Sequence, residues 1–129
     1  MQSKNLKEAV TKLCYELKSE SDLAHPSLAK YNSFTAEVGR KFIKIINQDT
    51  FNGDMSERVW GFININEFTK ERQMANGIKS VTFKEGDVLM ANGWRAPALN
   101  SPRGNLFDGY AVTKRTVYGP NYISSNRTL

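Results

Sequence analysis

The chain has few of the residues that most often carry chemistry: one cysteine, Cys14, and one histidine, His25, in 129 residues. A single cysteine excludes an intramolecular disulfide and a cysteine-rich zinc site. A single histidine leaves any metal site dependent on carboxylate or water ligands. Because a lone free thiol is typical of reducing compartments, the sequence predicts a cytoplasmic protein without a bound metal.

Several longer patterns are missing as well. No apolar run approaches the roughly 20 residues of a membrane-spanning helix, and the first residues lack the apolar core of a secretory signal. The sequence contains no phosphate-binding loop, dinucleotide-binding fingerprint or hydrolase nucleophile elbow. No pair of carboxylates can be placed across a cleft from sequence, so general acid–base catalysis has no visible carriers. We therefore expect a non-enzymatic protein with no cofactor and no membrane contact.

Length and composition predict one globular domain over residues 1–129. A chain of this length buries about two thirds of its unfolded surface, enough for a core without disulfides. Its hydrophobic content of 40% and charged content of 24% are those of ordinary folded proteins, which argues against disorder. Sequence patterns divide the chain into four segments: a helix at 5–20, a connector at 21–33, a β-rich body at 34–123 and a frayed tail at 124–129.

Residues 5–20 follow the period of an amphipathic helix. Their main apolar side chains are separated by four, three and four positions and predict one stripe: Leu6, Val10, Leu13 and Leu17. Cys14 flanks this stripe, so we expect a half-buried, inert thiol rather than a nucleophile. His25 precedes a proline in the connector and is interpreted as a surface or capping residue.

Two segments carry strand signals. Residues 34–47 are rich in β-formers, and residues 57–65 alternate between an aliphatic and a partly aromatic face. An Asn-Gly pair lies in the turn region 48–55 between them and favours a tight hairpin. We therefore expect an antiparallel hairpin across about residues 36–65.

Trp60 and Phe62 leave two interpretations open. Exposed on a strand opposite Lys41 or Lys44, the two rings would form a platform for stacking bases. If the sheet is covered on both faces, both rings belong to the core, which is the commoner place for aromatic residues on a central strand.

The rest of the β-rich body is less uniform. Residues 66–76 are polar and predict either a short helix that ends at Gly77 or a long loop. Residues 78–83 predict the next strand. Residues 110–118 have high β-propensity, and in them tyrosines interleave with Lys114 and Arg115. Such a strand either stacks bases and neutralises phosphates or forms an ordinary edge strand with protective charges.

Residues 93–109 predict a loop stiffened by proline and glycine. Its two prolines lack backbone donors, which excludes a central strand here. Arg95 and Arg103 bracket the stiff part beside Trp94, an arrangement that suits bidentate binding of a phosphate or carboxylate. The alternative is that Trp94 anchors the core and that both arginines are solvated or paired with acids.

The positive charge is concentrated in the C-terminal part. The chain has a net charge of +5 and a pI near 9.4. Residues 78–129 hold seven basic and three acidic side chains, whereas the preceding residues are nearly balanced. A basic excess attracts polyanions, which favours nucleic acid as a partner.

The chain also resembles small proteins encoded by tailed bacteriophages over roughly residues 36–122. The resemblance rests on five short runs: VWGFI at 59–63, FKEGDVL at 83–89, WRAPA at 94–98, RGNLFD at 103–108 and YGPNY at 118–122. It implies a phage gene product in the cytoplasm of a bacterial host. It implies no reaction and supplies no binding residue.

The sequence thus predicts an α+β fold, with an N-terminal amphipathic helix packed on a mainly antiparallel sheet of four to six strands. The first functional hypothesis is a non-enzymatic phage protein that binds single-stranded RNA or DNA through its basic C-terminal region. Six residues form the expected site, the first four on phosphates and the last two stacking on bases: Arg95, Arg103, Lys114, Arg115, Trp94 and Tyr110. The alternatives are an accessory protein that binds a host or virion protein, and a self-assembling component of the particle. The oligomeric state is left open.

Overall fold

The computed structural model describes residues 4–51 and 53–120. The predicted tail at 124–129 and the end of the β-rich body at 121–123 lie outside these ranges. One α-helix, α1, spans Lys4–Ala24. The strands within the described ranges are β1 Asn32–Val38, β2 Phe42–Phe51, β3 Asp54–Asn64, β4 Phe68–Met74, β5 Gly77–Phe83 and β6 Val88–Leu89. Short 3-10 helices cover Pro26–Tyr31, Leu106–Asp108 and Thr116–Tyr118.

The strands form two antiparallel sheets. The larger has the order β1-β2-β3-β6, and the smaller is the β4–β5 hairpin. Helix α1 packs on one face of the larger sheet, as the shared cluster of buried helix and strand residues shows. The predicted α+β class, with an N-terminal helix on an antiparallel sheet, is confirmed.

The apolar stripe of α1 is buried as predicted, since each of its four leucine and valine side chains is at most 5% exposed. The helix runs four residues beyond the predicted end and stops at Ala24. Pro26 explains this stop, because the residue before a proline is driven out of the helical region, and His25 has φ −137° and ψ 70°. None of the helices among the described residues has the length and apolar character needed to cross a membrane.

The predicted hairpin is present as β2 and β3, but residues 34–47 are not one strand. They contain most of β1 and the start of β2, which meet in a turn at 39–41. The backbone N–H of Gly39 donates to the carbonyl of Phe42 at 2.9 Å and closes this turn. Residues with high β-propensity lie on both sides of the turn at 39–41, and propensity alone does not show where a chain reverses direction.

Strand β3 contains a bulge at which Trp60 changes face. Ile45 pairs with Gly61 and Ile46 pairs with Val59, so Trp60 is the extra residue on β3. Strict alternation would place Trp60 with Phe62, whereas Trp60 belongs to the cluster under α1. Both rings are at most 2% exposed, so the core interpretation is confirmed and the stacking platform is wrong.

The face of the sheet opposite α1 is covered by a second, smaller core. Its buried members are Phe62, Phe83 and Leu89, with the base of the β4–β5 hairpin and part of the 90–105 loop packed around them. The Phe68 and Phe83 rings stack with centroids 5.0 Å apart. The large sheet is therefore covered on both faces, which explains why no aromatic platform is exposed on it.

Residues 66–76 form neither a helix nor a long loop. Most of them make up β4, which turns at residues 75–76 and returns as β5. Met74 pairs with Gly77, whose φ of 124° suits glycine at this tight turn. The helix propensity of these residues is outweighed because Phe68 packs in the second core and pairs with Phe83 at the base of the ribbon.

The strand predicted at 110–118 is also wrong. The segment is a loop that ends in the 3-10 helix Thr116–Tyr118. The strand β6 pairs with the end of β3 at Phe62 and Ile63, and the 110–118 segment is held by Val117 in the main core instead. Trp60 Nε1 donates to the carbonyl of Thr116 at 2.7 Å. High β-propensity does not by itself produce a strand. The predicted loop at 93–109 is confirmed.

A buried amide, Asn64, holds the loops together at the end of β3. The residue is fully buried, and its Nδ2 donates to the carbonyls of Asn66, Phe83 and Lys84 at 2.9, 3.2 and 3.1 Å. Its backbone N–H and carbonyl also pair with Asp87 and Gly86. One residue therefore joins the start and the end of the β4–β5 hairpin.

We expect Asn64→Asp to lower the free energy of unfolding by at least about 3 kcal/mol, because it places a carboxylate against three carbonyl oxygens in a buried site. Chemical denaturation at neutral pH measures this loss. The control Asn76→Asp makes the same change at an exposed turn residue and should shift the free energy by no more than about 0.5 kcal/mol. Equal effects of the two substitutions would show that Asn64 is not a structural clamp.

Candidate functional site

The β4–β5 hairpin is a ribbon that is anchored at its base and exposed along the rest of its length. Phe68 and Phe83 begin and end it within the second core. Beyond this base, the side chains of β4 are all exposed, and those of β5 are exposed apart from the half-buried Val81. Burial contributes little to the stability of an exposed ribbon, and its side chains are accessible to a partner.

One face of this ribbon carries three cations. Lys70 and Arg72 are two residues apart on β4, so their side chains project from the same face of the ribbon. Lys79 pairs with Arg72 directly across the ribbon and lies on this face as well. Glu71 lies one residue away and therefore projects from the opposite face. Two ion pairs elsewhere in the protein join Lys18 with Asp22 and Lys44 with Glu37. Like charges placed directly opposite destabilise a two-stranded ribbon.

Trp94 and Arg95 lie on the same side of the large sheet as the ribbon. Trp94 is 45% exposed, and its ring lies 4.4 Å from Nζ of Lys44. Lys44 pairs with Phe62, so its side chain projects from the face opposite α1. Arg95 is exposed. The interpretation of Trp94 as a core anchor is wrong, and its ring stays accessible beside a cation.

Arg103 is inside the protein. It is 3% exposed, its Nε donates to the carbonyl of Ser101, and its Nη2 donates to Oδ1 of Asn100, both at 3.3 Å. Its backbone N–H donates to the carbonyl of Val88 at 2.7 Å. The guanidinium thus supports the 93–109 loop from within, and we leave Arg103 out of the interface proposed below.

Tyr110 also points inward. It packs edge-on against Trp60 with ring centroids 6.2 Å apart, and burial raises the pKa of Tyr110 to about 12, against a smaller opposing effect of the Thr116 hydroxyl. Lys114 and Arg115 are exposed in the turn before Thr116–Tyr118, on the side of the sheet that α1 covers. The six predicted residues therefore do not form one surface.

A polar cleft of about 510 Å³ lies beyond the C-terminal end of α1. The residues that line it include Tyr31, Asn32, Asn47, Asp49, Arg58 and Tyr118. His25 closes one side, with Nε2 3.0 Å from the hydroxyl of Tyr118. Sequence reasoning missed this cleft, since its residues are spread from the connector to the C-terminal loop. The alternation of polar residues at 47 and 49 on the helix-facing side of β2 was the available signal.

Comparison of the chain with protein-family models, with curated proteins and with solved structures found no match. The resemblance to tailed-phage proteins therefore stays a prediction. Within residues 4–51 and 53–120, no three His, Cys, Asp or Glu side chains are grouped so that they hold a metal ion.

The Cys14 thiol is shielded rather than activated. Burial beside the apolar stripe of α1 raises the pKa of Cys14 to about 11. A higher pKa lowers the thiolate fraction at neutral pH, and the thiolate is the reactive form.

We expect Cys14 to react with an aromatic disulfide reagent at pH 8 at least about a hundredfold faster in denaturant than in the native protein, since an unfolded thiol has a pKa near 8.5. The folded state holds this proton more tightly, so stability should also fall as the pH rises above about 8.5. Absorbance of the released thiolate measures the rate, and Cys14→Ser supplies the blank. Equal native and denatured rates would contradict a shielded thiol.

Proposed function

We propose that the protein binds nucleic acid and that the β4–β5 ribbon is its main contact. The observation that supports this most directly is the cross-strand pair of Arg72 and Lys79, with Lys70 on the same exposed face. This arrangement costs stability in the free protein, since like charges face each other. A phosphate backbone between them would convert the repulsion into two favourable contacts and release bound counterions.

The shape of the ribbon favours duplex DNA over the single strands that the sequence suggested. The major groove of B-DNA is about 12 Å wide and admits a two-stranded β-ribbon. The major groove of duplex RNA is deep and narrow and excludes such an element. The cations on β4 and β5 lie on one face and would contact phosphates at the groove edges, while the tip residues reach inward.

Trp94 and Arg95 extend this surface from the neighbouring loop. The loop and the ribbon base pack on the same buried cluster, through Leu99 and Val81 respectively, so both stand on one face of the large sheet. Arg95 adds a cation, and the accessible Trp94 ring adds a stacking surface for an unpaired base. The sequence resemblance suggests the setting, a non-enzymatic phage protein that acts in the bacterial cytoplasm.

The second candidate is a protein partner bound by the tip of the ribbon. It is supported by two exposed apolar side chains there, Met74 and Ile78, which are 42% and 66% exposed. Such a partner would bind through apolar contacts, and its affinity would change little with salt.

We expect Arg72→Ala/Lys79→Ala to weaken binding to a labelled duplex DNA at least about tenfold and to reduce the slope of log K against log salt by about 2, since each lost phosphate contact lowers the slope by about 0.9. Fluorescence anisotropy between 50 and 200 mM salt measures both, with single-stranded DNA and RNA as comparison ligands. The control Lys7→Ala/Lys12→Ala removes the same charge from the exposed face of α1.

Equal losses from the ribbon variant and the helix variant would mean that net charge, not the ribbon, causes the binding. A third variant, Lys114→Ala/Arg115→Ala, tests the C-terminal site that the sequence suggested. No binding of any nucleic acid at 50 mM salt would reject the proposal and direct attention to a protein partner.

A further inference from the structure

The polar cleft forms because strands β2 and β3 extend beyond the C-terminal end of helix α1. Helix α1 ends at Ala24, whereas β2 and β3 continue past it toward their hairpin turn. On the helix-facing side, the buried isoleucines of β2 are followed by Asn47 and Asp49. The connector and the C-terminal loop wrap around these polar residues, so the space is a cleft with an apolar core at one end.

The floor of the cleft is rigid. Asn47 is 4% exposed, and its Nδ2 donates to Oδ1 of Asn32 at 2.7 Å and to the carbonyl of Ser33 at 3.1 Å. The Nδ2 of Asn32 in turn donates to Oγ of Ser21 at 2.6 Å. This chain of amides ties β2, β1 and α1 together before any ligand arrives, which lowers the entropy lost on binding.

One end of the cleft combines a cation with an aromatic ring. Arg58 Nη1 donates to the backbone carbonyl of Tyr118 at 2.9 Å, and the Tyr118 hydroxyl lies 3.0 Å from Nε2 of His25. Tyr118 therefore contacts the guanidinium through its backbone carbonyl and the imidazole through its phenol hydroxyl. Tyr31, which is 47% exposed, supplies a second ring to the same cleft. The guanidinium of Arg58 at the wall of the cleft suits a phosphate group.

Two side chains of opposite charge, Arg58 and Asp49, line different parts of the cleft. Arg58 pairs with Asn47, and Asp49 pairs with Ser56, two residues closer to the hairpin turn. The carboxylate is therefore displaced along the strands from the guanidinium, and among described side chains no ion pair joins the two. A ligand that fits both charges carries an anion at one end and a hydrogen-bond donor at the other.

We propose that this cleft binds one nucleotide, with its phosphate at Arg58, its base against a tyrosine ring, and an exocyclic amino group toward Asp49. The volume of about 510 Å³ is within the range of small-molecule sites. The nucleotide is either a free nucleoside monophosphate or the unpaired, 5′-phosphorylated end of a nucleic acid. This site is on the opposite side of the sheet from the ribbon and does not depend on the function proposed for the ribbon.

Isothermal titration of the full chain with a matched set of ligands tests this proposal. Cytidine 5′-monophosphate should bind. Uridine 5′-monophosphate, which replaces the amino donor by a carbonyl, should bind at least about fivefold more weakly, because the Asp49 carboxylate then faces an acceptor. Cytidine without phosphate should bind at least about tenfold more weakly, because the contact with Arg58 is lost.

Three variants assign the contacts. Arg58→Gln should weaken binding of the monophosphate at least about tenfold, and Tyr118→Ala should do the same through loss of stacking. Tyr118→Phe keeps the ring and should retain binding within about threefold. Arg72→Ala/Lys79→Ala, which alters only the ribbon, should bind cytidine monophosphate as the wild type does. Thermal unfolding of each variant checks that the fold is kept.

A DNA hairpin with one unpaired 5′-phosphorylated deoxycytidine, compared with the same hairpin blunt-ended, distinguishes the two sources of the nucleotide. Tighter binding of the overhang that depends on Arg58 assigns the site to nucleic-acid ends. Binding of the free monophosphate alone assigns it to a metabolite. Absence of binding of either ligand at millimolar concentration, or binding that Arg58→Gln leaves unchanged, overturns the proposal.

Discussion

The bulge in β3 is the constraint on which the rest of the structure depends. One extra residue turns Trp60 toward α1 and leaves Phe62 on the opposite face, so each core receives a large ring. Trp60 then holds the carbonyl of Thr116, which brings Tyr118 to the polar cleft. Gly61 makes the bulge compact, since a Cβ there would lie 2.8 Å from the carbonyl oxygen of Leu89. A regular β3 would bring both rings to one face and leave the C-terminal loop without its anchor.

The two cores support two different surfaces. The core under α1 contains the aliphatic stripe and stabilises the large sheet, and the polar cleft opens where that packing ends. The second core is smaller and mostly aromatic, and it fixes the base of a ribbon that contributes little to stability itself. Burial is thus concentrated at the ribbon base, where Phe68 and Phe83 stack. The exposed part is left with side chains whose charges repel, which is understandable if the ribbon meets an anion.

Some predictions failed because tertiary contacts competed with the local preferences of the residues. Arg103 was expected at the surface, but the carbonyl of Ser101 and the side chain of Asn100 accept from its guanidinium inside the protein, and no local pattern distinguishes such an arginine from an exposed one. The residues of β4 are good helix formers, yet the packing of Phe68 and the turn at 75–76 pair them with β5 as a strand. In both cases a contact with a distant part of the chain outweighed a local preference.

The sequence by itself determined the helix with its buried stripe, the β2–β3 hairpin, the α+β class and the loop at 93–109, because each rests on a period or a turn signal within a short window. The sequence also shows the excess of positive charge, but not where on the folded surface the basic side chains lie. Only the tertiary structure decided the face of Trp60, the burial of Arg103, the pairing of Arg72 with Lys79 and the meeting of His25, Arg58 and Tyr118. These depend on strand register and on contacts between distant segments, and a one-residue shift in register reverses which face each side chain occupies.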